Sequence, residues 1–143
     1  MTPRIARPLA ATIGLLGLLL AGCGKTTTPT AASDVTSPVS VLWTSALGAG
    51  GQASRSFTAA QAGTVTVSLT GVDLADGQLI GIGIGIPHVN GSSCYLYSEA
   101  MVAAGSGGSI SAPVDQGTYC AAVFDPSSIR TAQAGFSVTI VYP

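Results

Sequence analysis

From Val39 onward the chain alternates apolar and polar residues with period two, in short runs separated by turn residues. Val39, Val41 and Trp43 fall on one side of the first run, and Ser40, Leu42 and Thr44 on the other. The glycine-rich turn Gly48-Ala49-Gly50-Gly51 leads to a second run over Ala53–Thr58. Thr64–Thr70 is the clearest strand: Val65, Val67 and Leu69 alternate with Thr64, Thr66, Ser68 and Thr70, which gives one dry and one wet face. Further strands are predicted over Leu79–Ile86, Cys94–Ser98, Ser109–Ala112, Thr118–Phe124 and Phe136–Tyr142. No long window has helical period, and Glu99–Ala104 leaves room for a single helical turn. About eight short strands with turn signals between them predict an all-β fold, an antiparallel β-sandwich rather than alternating βα units.

One run departs from simple alternation. Ile80, Ile82, Ile84 and Ile86 share a face, and Gly81, Gly83 and Gly85 share the other. Glycine weakens a strand and offers nothing to pack, so three in register predict that something approaches the backbone there. A neighbouring loop or the opposing sheet is the expected occupant, and a flat ligand-binding face is the alternative.

The N-terminus follows different rules. Arg4 and Arg7 precede an apolar run, Leu9–Leu20, of about a dozen residues, too short to cross a bilayer core of roughly 30 Å as a helix. It reads as a signal peptide, and Leu20-Ala21-Gly22-Cys23 resembles a bacterial lipoprotein processing site, the lipobox. That resemblance implies cleavage after residue 22, acylation of the Cys23 thiol, and a bacterial cell-envelope location. Gly24 in place of an aspartate is compatible with sorting to the outer membrane. Residues 23–38, rich in Thr, Ser and Pro, read as a tether reaching roughly 20 Å as a coil, and 39–143 as the folded domain. With Cys23 assigned to lipid, Cys94 and Cys120 remain as an even pair in an oxidising compartment, where a disulfide is expected.

Removing the leader changes the charge only slightly: Lys25, Arg55 and Arg130 stand against six acidic residues, a net of −3. Nucleic-acid binding needs clustered Lys and Arg, so that partner class is excluded, and membrane association has to come from the lipid. Catalytic motifs fare no better. Gly24-Lys25-Thr26 has Leu19 where a phosphate loop needs glycine, and Ile86 replaces the third glycine of a dinucleotide fingerprint at Gly81-x-Gly83-x-Gly85. Ala104-Gly105-Ser106-Gly107-Gly108 lacks the first glycine and the strand–turn–helix setting of a nucleophile elbow. His88 is the sole histidine and sits beside Pro87 in a predicted turn, which favours a surface residue over a base or metal ligand.

Phe57, Gly63–Leu69, Gly117-Thr118-Tyr119-Cys120-Ala121-Ala122-Val123-Phe124-Asp125 and Phe136–Pro143 resemble the pre-peptidase C-terminal type of domain. The shared features are an opening aromatic, a Gly-led alternating strand, a Gly-x-Tyr strand and a closing alternating strand. The resemblance implies a jelly-roll-like sandwich serving as a non-catalytic accessory or interaction module. Members usually accompany a catalytic domain, and none is legible in this chain. Some bind calcium through clustered acids, whereas Asp73, Asp76, Asp115 and Asp125 are scattered in this sequence. It also implies that Tyr119, Ala121 and Val123 face the core and that Cys120 lies on the opposite side of its strand.

The functional expectation is therefore a lipid-anchored, non-enzymatic module with an envelope protein or glycan as partner and no metal or cofactor. A carbohydrate-binding module is the alternative, with a small secreted hydrolase or inhibitor behind it. Alternation assigns Trp43 and Tyr119 to the core and leaves Tyr95 and Tyr97 as exposed rings on which a sugar could stack.

Overall fold

The alternating runs become eight strands: β1 (Val39–Gly48), β2 (Gln52–Ala59), β3 (Gly63–Val72), β4 (Leu79–Pro87), β5 (Cys94–Ala103), β6 (Gly108–Val114), β7 (Gly117–Phe124) and β8 (Gln133–Tyr142). This computed structural model describes residues 37–127, 129–130 and 133–143. Residues 1–36, which hold the expected leader, Cys23 and most of the expected tether, lie outside the described residues.

The strands form two four-stranded sheets, ordered β1-β8-β3-β6 and β2-β7-β4-β5. Every pairing is antiparallel, and β1 pairs with β8, β2 with β7, β3 with β6 and β4 with β5. That nesting is a long antiparallel ribbon rolled up on itself, the jelly-roll arrangement of a β-sandwich. Because each link reverses direction, the molecule has two distinct ends. At the entry end β1 begins, β8 finishes, and the β2–β3, β4–β5 and β6–β7 links lie; the other eight strand ends and the four links that join them form the far end.

The dry faces meet between the sheets. Val65, Val67 and Val138 from the first sheet and Ile80, Ile82, Ile84, Ala121 and Val123 from the second are fully buried. Aromatic contacts close the core: Trp43 meets Phe136 edge-on at 5.0 Å, and Phe57 lies 4.9 Å from Tyr142 and 6.2 Å from Tyr119.

The helical turn expected at Glu99–Ala104 does not form. Glu99 to Ala103 continue β5, with Ala100 opposite Ile82 and Val102 opposite Ile80, and the chain turns only at Ala104. Burial of Val102 and the ladder to β4 outweigh the helix preference of an Ala- and Met-containing stretch.

Candidate functional site

The glycine face of β4 is occupied from within its own sheet, which corrects both readings offered for it. The Phe124 ring, from β7, covers Gly81. A Cβ at Gly83 would stand 2.7 Å from the Leu96 side chain, from β5. At Gly85 the intruder is backbone: the Tyr95 carbonyl presses on the position, and Leu96 Cα would lie 2.9 Å from an added Cβ. Neither a loop nor the opposing sheet fills the space, and all three glycines are buried, so no flat face is left for a ligand.

This close approach lets β5 reach β7 across β4. Gly85 pairs with Leu96 on one side and Cys120 on the other, and Cys94 bonds to Cys120 with their Cα atoms 5.9 Å apart. The two sulfurs, Ala122 and Leu96 form a small second core on the outer face of the sheet. Cys120 thus lies opposite Ala121 and Val123, and the expected disulfide is present.

Tyr95 and Tyr97 project from the entry-end half of β5 and are 66% and 50% exposed. Their placement depends on a bulge. Ile84 pairs with Ser98 and Gly85 with Leu96, so Tyr97 is an extra, unpaired residue. Tyr97 thereby lines a shallow cleft of about 350 Å³ with Pro113, Val114, Asp115 and Tyr119. Partial burial, with a smaller contribution from the neighbouring Tyr119 phenol, raises the Tyr97 pKa above that of a free tyrosine. Tyr119 is only half-buried: its ring packs on Phe57, and its hydroxyl accepts a hydrogen bond from the Asp115 N–H at 3.2 Å, leaving its own O–H free to donate. Tyr95 leans on His88, ring centroids 5.2 Å apart.

The cleft therefore combines aromatic and proline surface with two phenols and a carboxylate. Sequence reading found Tyr95 and Tyr97 but assigned Tyr119 wholly to the core and gave Asp115 no role; only the pairing of β5 and the short β6–β7 link bring these groups together.

The remaining candidates separate. Asp73 and Asp76 sit in the far-end β3–β4 link, with Asp73 lying against Gly135 and Asp76 against Gly105. A hollow of about 290 Å³ beside Asp73 is lined by Thr44, Ser45, Gly71 and Ser137 among others. Asp125 is buried and structural: its carboxylate accepts from the Gly50 N–H at 2.7 Å and the Ile129 N–H at 3.1 Å, and its own N–H donates to the Gly51 carbonyl at 3.0 Å. His88 caps the β4–β5 turn, donating its N–H to the Ser93 carbonyl at 2.9 Å. Among the described residues, no group of three or more His, Cys, Asp or Glu is placed to hold a metal ion.

No family model and no curated protein matches the chain. Among solved structures it is similar to that of Bacillus endospore appendages, described as a novel family of disulfide-linked pili, with 17% identity and a TM-score of 0.41 over 74% of this chain and 88% of that one.

Proposed function

We propose that this chain is a lipid-anchored protein of the bacterial cell envelope whose β-sandwich is a non-catalytic interaction or accessory module. The observation that carries the proposal is the cysteine inventory. Cys94 and Cys120 are bonded to each other, as in proteins of oxidising compartments, which leaves Cys23 as the one other cysteine, directly after Leu20-Ala21-Gly22. Acyl chains on Cys23 supply the membrane affinity, since two or more chains anchor stably where one is marginal. The likeness to pre-peptidase C-terminal domains supports the accessory role, and Gly24 supports the outer membrane as destination.

Cell fractionation with metabolic labelling tests the anchor. The parent chain is expected in the membrane fraction carrying acyl label, and Cys23→Ser is expected to lose the label and leave that fraction. Membrane retention of an unlabelled chain would remove the basis of the proposal.

The cleft of Tyr97, Tyr119 and Asp115 favours a second reading, carbohydrate binding, because phenol faces suit the C–H faces of a sugar and hydroxyl and carboxylate groups suit its edge. Binding to glycans of the envelope that disappears on Tyr97→Ala is the expected signature.

A further inference from the structure

Two features of the sandwich coincide at one end. The described chain enters there, at Ser37 and Pro38, and passes directly into Val39, which pairs with Tyr142 at the close of β8. The same end collects exposed apolar side chains. Of the eight large apolar residues exposed among the described residues, five lie there or just inside it: Val39, Ile86, Val89, Tyr95 and Tyr97. Val89 stands at the tip of the β4–β5 turn with 93% of its surface exposed. Ile86 and Tyr95 are cross-strand partners at its base.

Charge is distributed the opposite way. Among the described residues, Asp115 is the one carboxylate and His88 the one basic side chain in the links of the entry end, whereas the far-end links carry Asp73, Asp76, Asp125 and Arg130. An end that is apolar at its tip, ringed by tyrosines and nearly free of charge has the composition of a surface that rests in the headgroup layer of a bilayer. Tyrosine favours that layer because it offers an apolar ring and a polar hydroxyl at once.

We infer that the entry end is a membrane-contact face: the β4–β5 turn, through Val89, Ile86 and Tyr95, seats in the interface of the bilayer to which the chain is anchored. The inference rests on the anchored reading above, and the occupant follows from where the chain enters. A lipid at Cys23 can bring a bilayer to this end without the chain passing round the domain, and an apolar tip then has lipid rather than water to meet. With a single carboxylate there, the contact draws on apolar insertion and not on attraction to anionic headgroups, so it persists when salt is raised.

The test uses the chain from Cys23 to Pro143, coupled through the Cys23 thiol to a maleimide lipid in phosphatidylcholine vesicles that contain brominated acyl chains. Because the coupling supplies the anchor, absence of natural acylation, read separately from the mass of the cellular protein, is distinguishable from failure of the face. A tryptophan reporter is placed at the tip (Val89→Trp) or in the exposed far-end turn (Ala75→Trp), with buried Trp43 as a constant background. The expected result is several-fold stronger bromine quenching of the Val89→Trp chain, unchanged in high salt. Adding Ile86→Ser and Tyr95→Ser, both exposed positions, should bring that quenching down to the level of the Ala75→Trp chain. Equal quenching at the two turns overturns the inference. So does quenching at Val89→Trp that soluble envelope glycan fragments abolish while Tyr97→Ala resists them, since that end would then be a saccharide site.

Discussion

A methyl group at Gly85 has no free volume to enter, because the atoms it would meet belong to the β5 backbone. At Gly81 the obstacle is the Phe124 ring, a half-buried side chain that can swing outward. Packing therefore predicts different outcomes for the same substitution. Gly85→Ala should cost at least about 2 kcal/mol more than Gly81→Ala, with overpacking at the first position and partial relief plus a stiffer unfolded chain at the second. Urea unfolding of the two variants measures this, and equal midpoints would contradict it. The alternation of isoleucine and glycine was readable as a strand with a crowded backbone. The identity of the crowding groups was not, because Leu96 and Phe124 become neighbours of β4 only through pairing with β5 and β7.

Elements, taken singly, were mostly legible where period two was clean, as in β3, and illegible where pairing overruled local preference, as in the second half of β5. The bulge at Tyr97 belongs to that second class: nothing in Cys94–Ser98 marks an extra residue, and it is the ladder to β4 that leaves one unpaired. Links between elements hide information too. Asp125 reads in sequence as one scattered acid among four, yet it holds the β1–β2 turn against the segment that follows β7. Removing its carboxylate deprives the Gly50 and Ile129 N–H groups of their acceptor. Asp125→Ala should destabilise by about 1–3 kcal/mol, the range for one buried donor, that of Ile129, losing a charged acceptor while the more exposed Gly50 N–H can turn to water, and Asp125→Asn by less, since one amide oxygen still accepts. Faster amide exchange at Gly50 and Ile129 would localise the effect; a loss under about 0.5 kcal/mol would mean that the clamp is dispensable.

At the scale of the whole molecule, the rolled ribbon places partners far apart in sequence, β1 with β8 and β2 with β7, so most of the fold is closed by long loops whose ordering costs entropy. Alternation alone announced the sandwich but carried no information about which strands lie side by side, and hence none about Tyr97, Tyr119 and Asp115 converging at one end. The Cys94–Cys120 bond acts at this scale. It spans 26 positions, and in the chain-entropy picture a ring of that size contributes about 3.5 kcal/mol by restricting the unfolded chain. Against a stability of roughly 5–15 kcal/mol for a domain of this size, that is a large share. Replacing both cysteines by alanine, which avoids burying an unpaired thiol beside Ala122 and Leu96, should lower the melting temperature by roughly 15–25 °C. Reducing the unaltered protein before unfolding should give the same stability to within about 1 kcal/mol, because both treatments release the same ring. A melting point unmoved by either would show that the second core, and not the covalent bond, holds β5 to β7 across the Gly85 crossing.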